Sequence, residues 1–291
     1  MRISLKRTCC LIILCMMVWG SAHFAFADQY MAQEMVFAKE ESLSGMMNVP
    51  GLQEPIRYYA QNDELWRNLV YERKNSSKWR PFRDSGCSPT AFAMAITRLL
   101  PDEELRKISE YSNYPYSLCE CSVNQKACYR HKGRYMLTTD RDYVRFLPLV
   151  LADFATGNNT WNVCSRSDSS GTASGYIEYV CKVYGLDFRT TKDYQEAIDA
   201  VKTEGCSVFA LASSGGCFTN EGHYIYLANA DDEVLYVLDP LARSSYEQCN
   251  WGYQLTVIQP GLVHIRHDKK YFAQYSYFVI LSKPGIVSTA E

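Results

Sequence analysis

The stretch Arg83–Leu100, RDSGCSPTAFAMAITRLL, fixes how the rest of the chain is read. After Cys87, the residues Phe92, Ala95, Ile96 and Leu99 recur at i, i+3, i+4 and i+7, one face of a helix. Pro89 sits where a first-turn proline is tolerated, and Pro101 marks the stop. A cysteine at the start of such a helix has three uses: one end of a disulfide, a buried filler, or a nucleophile whose thiolate the helix end stabilises.

Two further helices have the same spacing. Ile177, Val180, Cys181 and Tyr184 lead to a helix-ending glycine at Gly185, and Tyr194, Ile198 and Val201 run toward Gly205. Then the period changes. CSVFALAS, HYIYLA, EVLYVLDP and SYFVILSK are short runs rich in β-branched and aromatic residues, with NADD between the second and third reading as a hairpin turn. Helices first and strands late predict an α+β domain rather than alternating βαβ units.

The N-terminus speaks to compartment. MRISLKR is a basic region, CCLIILCMMVWG an apolar one, and AHFAFA ends in a small-x-small pattern, so residues 1–27 read as a signal peptide cleaved after Ala27. The apolar run is too short for a transmembrane span, and no membrane anchor is expected. A secreted or periplasmic protein follows. Residues 28–50 read as a tail or pro-like segment, and 51–291 as one domain.

Losing residues 1–27 removes Arg2, Lys6 and Arg7 and no acid, so 30 basic against 32 acidic residues become 27 against 32, or −5. That excludes the basic patches a nucleic acid or an anionic membrane would need. Nine cysteines remain: Cys87, Cys119, Cys121, Cys128, Cys164, Cys181, Cys206, Cys217 and Cys249. In an exported chain disulfides are the default, and an odd number leaves at least one thiol over. Cys181 lies on an apolar helix face and reads as a free buried thiol. The Cys-dense part of 101–165, PYSLCECSVNQKACYRHKGRY, reads as a surface loop stapled by disulfides. In an oxidising compartment that outweighs a metal site at its cysteines and His131, so no metal is expected.

A thiol nucleophile needs a base. The mature chain offers His131, His223, His264 and His267. His264 and His267, in LVHIRHDKK, read as a solvated strand end. His223 begins the strand HYIYLA, where rigid scaffold holds its ring, and Asp239 ends the next strand, so an antiparallel hairpin brings the two together. An acid beside an imidazole fixes its tautomer and stabilises its cation. Cys87 and His223 are 136 residues apart, within the ~130–150 typical of papain-like enzymes. Any chain of this length offers several such pairs, and a strand-borne His is more often a satisfied core residue.

Five blocks add a resemblance. SGCSPTAFAMAI resembles the Gly-Cys-Gly-Pro-Thr helix opening of the bacteriocin-processing (double-glycine leader) peptidases and their secreted stand-alone relatives, a family of papain-like cysteine peptidases. YYAQNDELWRNLVY is similar to that family's Gln-x-Asp-x-x-Trp segment, GTASGYIEYVCKVYGL to its Gly-Thr-led helix, AIDAVKTEGCSVFAL to its helix-then-strand, and GHYIYLANADDEVLYVLDP to its Gly-His strand and Asp-Pro hairpin. The likeness covers about residues 56–100 and 171–243 in the family's order.

The resemblance implies a papain-like fold, its nucleophile-bearing helix packed on a C-terminal antiparallel sheet. It also implies Cys87 as nucleophile, His223 as general base, Asp239 as orienting acid and Gln61 as oxyanion donor, acting on a peptide or protein substrate without a cofactor. Three features depart from the pattern: Ser88 for a glycine, Cys217 six residues before His223, and the Cys-rich insertion at about 101–165. The other reading is a catalytically silent, disulfide-stapled binding or toxin-like module that keeps the fold.

Overall fold

The structure, a computed structural model, describes residues 42–67, 71, 80–111, 144–157, 171–213, 216–246, 255–267 and 275–286. All belong to the unit Ser42–Glu291. The expected Cys-rich loop with His131 and the signal segment lie outside the described residues.

The fold is α+β, as the late clustering of strands predicts. Strands β1 (Gly45–Met47) and β2 (Ile56–Tyr58) form an antiparallel pair. Helices α1 (Phe82–Ser85), α2 (Cys87–Leu99) and α3 (Asp102–Leu105) follow, then α4 (Leu147–Ala155), α5 (Gly175–Tyr184) and α6 (Tyr194–Lys202). Strand β3 (Asp187–Thr191) separates the last two helices. The remaining strands are β4 (Cys206–Ala212), β5 (His223–Ala230), β6 (Val234–Leu238), β7 (Thr256–Gln259), β8 (Leu262–Arg266) and β9 (Tyr275–Ser282). Among the described residues, β3 to β9 make one seven-stranded antiparallel sheet in the order β3-β9-β4-β5-β6-β8-β7.

Alternation along the strands sorts the core into two layers. Phe209, Tyr224, Tyr226, Val279 and Leu281 face α2, α4 and α5. Val208, Ala210, Ile225, Leu227, Phe278 and Ile280 face the other way, where α6 covers them with Ala197, Ile198 and Ala200. A sheet with both faces covered buries nearly every side chain, which is why the strands read as near-continuous apolar runs.

Several elements differ from the expectation. Helix α2 is buried all round from Cys87 to Ile96, because it lies between the sheet and the wholly buried α4, to both of which it packs. Its pattern marked one face only. Helix α6 stops at Lys202, short of Gly205, whose φ of +79° places it in a turn. The sequence LVHIR is no solvated strand end: it is β8, paired on both sides, with Leu262, Val263 and Ile265 buried. Helix α4 lies within 101–165, outside the three helices that the spacing predicts. No described helix is long and apolar enough to cross a membrane.

Candidate active site

Cys87 is the first residue of α2, so the backbone N–H groups of that first turn have no partner within the helix and point toward the thiol's end. The approach to it is tight. A Cβ on Gly86 would come within 2.5 Å of the Phe82 ring, which is fully buried and packs on Tyr71 at 5.5 Å between centroids. Gly86→Ala is therefore expected to cost about 1–3 kcal/mol by overpacking and to displace Cys87. A lowered melting temperature together with slower alkylation of Cys87 checks it.

Across from Cys87, β5 begins with His223 and β6 is followed directly by Asp239. The hairpin turn is fixed by Asp231, whose Oδ1 accepts from the N–H groups of Glu233 and Val234, both at 2.8 Å. The strand ends thus meet as the sequence suggests: His223 Nε2 lies 2.6 Å from Asp239 Oδ1. With Nε2 engaged, Nδ1 is the ring nitrogen left for Cys87, and the thiol and the ring each shift the other's pKa. Cys87, His223 and Asp239 are 8%, 3% and 0% exposed, so their charges act on one another through protein rather than water.

Burial alone would raise the Cys87 pKa. The His223 hydrogen bond and charge, aided by the backbone N–H groups of Tyr224 and Ser88, outweigh it and hold the thiol below its ordinary value. Burial likewise works against a protonated His223, but Asp239, by charge and hydrogen bond, and then Cys87 push its pKa up to about 9. The two shifts run in the directions that favour a thiolate beside an imidazolium.

Asp239 is held at every polar atom. Its Oδ1 also accepts from Leu241 N (2.9 Å) and its Oδ2 from Tyr246 Oη (2.6 Å). Its N–H donates to Gly261 O (2.8 Å), and its carbonyl accepts from Tyr58 Oη (2.7 Å). Arg243 sits 3.8 Å from Oδ2, lies over the Tyr246 ring and donates to Phe218 O. Phe218 in turn packs beside His223, 6.5 Å between ring centroids.

Gln61 joins the two halves of the site. Its backbone N–H donates to Pro240 O (2.7 Å), next to Asp239, and its side-chain Nε2 donates to Arg83 O (2.5 Å), four residues before Cys87. It is 2% exposed, and its Oε1 has no partner. One amide hydrogen of Nε2 remains beyond the Arg83 bond.

Ser88 also has a place. In the position where the resemblance has glycine, its hydroxyl is buried 3.1 Å from Tyr176 Oη of α5. Cys181 is free and buried, its pKa pushed up to about 12 by burial. Cys206 is free as well, which sequence parity could not show, and Cys217 is disulfide-bonded. Cys87, Cys181 and Cys206 are thus the three free thiols among the described residues, in keeping with at least one thiol left over and with Cys181 as a free buried one. Sequence reasoning missed Tyr58, Arg243 and Tyr246, whose bonds to Asp239 span loops that have no local signature.

Among solved structures, the chain is similar to the peptidase domain of Streptococcus ComA, a bi-functional ABC transporter involved in a quorum sensing pathway. The identity is 16% over 41% of this chain and 72% of that one, with a TM-score of 0.27. The peptidase domain of Streptococcus mutans ComA gives 16% over 46% and 88%, with a TM-score of 0.28. No family model and no curated protein matches the chain.

Proposed function

We propose that the protein is an exported cysteine peptidase-like hydrolase that cleaves peptide or amide bonds through Cys87, His223 and Asp239 on a papain-like fold. The observation that carries this reading is the buried pairing of His223 with Asp239 Oδ1 at 2.6 Å, with the ring acting on Cys87 to lower its pKa. A buried core histidine needs partners, but not a cysteine whose pKa it depresses.

The geometry supports the following sequence. The Cys87 thiolate attacks the carbonyl carbon, forming a C–S bond while the carbonyl pair moves to oxygen. The oxyanion is held by the Cys87 backbone N–H and the remaining Nε2 hydrogen of Gln61. His223 gives its proton to the leaving amine, the C–N bond breaks, and a thioester remains on Cys87. His223, now neutral, takes a proton from water, the hydroxide adds to the thioester, and the acid leaves as the thiolate–imidazolium pair re-forms. Asp239 keeps Nε2 protonated, and so the ring in the tautomer whose Nδ1 faces sulfur. Export rests on the N-terminal basic-apolar-AFA pattern and is in keeping with the disulfide at Cys217.

The test is a tryptic peptide pool from an unrelated proteome, incubated with the protein and mapped for new termini by mass spectrometry. New termini made by the wild type and absent with folded Cys87→Ala are the expected result. No cleavage, or the same cleavage from both, would sink the peptidase reading and favour the silent binding module.

A further inference from the structure

Residues 42–50, within the stretch read from sequence as a tail or pro-like segment, make extensive contacts with the rest of the domain. Met47 and Val49 are buried in the main core, β1 pairs with β2 from Gly45 to Met47, and Pro50 O accepts from Asn229 Nδ2 of β5 at 2.9 Å. More tellingly, the segment grips the turn that carries Gln61. Ser44 Oγ accepts from Ala60 N at 2.9 Å, on the residue just before Gln61. Two residues after it, Asp63 Oδ2 accepts from Ser42 Oγ (2.6 Å) and Ser44 N (2.9 Å), while Oδ1 accepts from Leu65 N (3.0 Å). Asp63 is wholly buried, and Trp66 Nε1 closes the turn on Ala60 O at 2.9 Å.

We infer that Ser42, Ser44 and Asp63 are positioning residues for Gln61, and that any N-terminal maturation of this protein stops ahead of Ser42. The inference rests on the cysteine-hydrolase reading, with Gln61 as an oxyanion donor. Without Ser44 Oγ, the Ala60 N–H loses its acceptor on the flank of Gln61. Without the segment, Asp63 loses two of its three donors while buried, and the turn relaxes to find others. The remaining Nε2 hydrogen of Gln61 is useful only where the oxyanion forms, so a small displacement removes it from the reaction.

Two reagents separate this role from general loosening of the fold. Iodoacetamide alkylates Cys87 by displacement of iodide, a step that forms no oxyanion. With p-nitrophenyl acetate the thiolate adds to the carbonyl, p-nitrophenolate leaves, and acetyl-Cys87 remains, so oxyanion donors matter. Gln61→Ala is expected to slow acetylation by ~10²–10³ and leave alkylation unchanged. Ser44→Ala should slow acetylation about tenfold with alkylation unchanged, and Ser44→Thr, which keeps the hydroxyl, should restore it. Asp63→Asn should follow Ser44→Ala.

Parallel loss of both rates, or loss of neither, overturns the positioning role. A wild type that reacts with neither reagent fails the parent reading instead, so the two failures are distinct. N-terminal sequencing of the exported, reactive protein should find Ser42 or an earlier residue first. A species beginning after Ser44 that still acetylates at full rate also overturns the inference.

Discussion

At about pH 6 and without reductant, iodoacetamide is expected to label Cys87 about 10²-fold faster than Cys181 or Cys206. The ratio follows from thiolate fractions. A thiol near its free pKa of ~8.5 is only a few thousandths ionised at that pH, whereas one paired with an imidazolium is largely thiolate. Burial pushes Cys181 up to about 12 and raises Cys206 as well, so neither competes. As pH rises through about 9, His223 loses its proton and the pair dissolves into a thiolate beside a neutral imidazole. Alkylation then persists, but turnover of an amide falls, because no acid remains to protonate the leaving amine. Peptide mapping reads the label and a pH–rate profile reads the alkaline limb. A Cys87 no faster than Cys206 would remove the nucleophile.

Asp239→Asn is expected to lower both alkylation at pH 6 and amide turnover by ~10² or more, the scale of a positioned acid–base group. Asparagine keeps the shape and an acceptor for His223 Nε2, and its amide nitrogen can donate to Tyr246 Oη, so the fold should persist. What it removes is charge. Burial is the largest influence on the His223 pKa and lowers it; the Asp239 charge is the chief counterweight. Without that charge the His223 pKa falls from about 9, imidazolium becomes scarce near neutrality, and the Cys87 thiolate loses its main support. The acid limb of the alkylation profile should therefore move to higher pH. A variant with the wild-type profile and an unchanged fold would show that Asp239 is a turn residue only.

The elements legible in sequence were those whose signal is local. The period of Phe92, Ala95, Ile96 and Leu99 marked α2, Gly185 at φ +61° closed α5, and alternation with a turn at Asp231 set the β5–β6 hairpin, bringing His223 to Asp239. What stayed hidden depends on partners distant in the chain. Strand β3 is short and half-exposed, and only its pairing with β9 makes it a strand. Tyr246, seven residues past Asp239, reaches it only because the chain folds back after Pro240. Asp63 belongs to the Gln-x-Asp-x-x-Trp segment, but its bonds to Ser42 and Ser44 on the far side of Ala60 are not legible in the sequence. The free thiol at Cys206 follows from which cysteines meet in space, which parity does not address.

The placement of β9 carries a consequence for timing. The last of the described strands, Tyr275–Ser282, is not at an edge of the sheet but between β3 and β4, next to the strand that flanks the His223 strand. Until it arrives, β4 has an open edge and β3 no neighbour, so the scaffold under His223 is unfinished. Cys87 and its helix are made nearly two hundred residues earlier. A polypeptide still emerging from the ribosome thus carries Cys87 before the sheet that holds His223 is complete. Long-range closure of this kind is slow by nature, and here it leaves the sheet behind His223 incomplete until synthesis has passed Ser282.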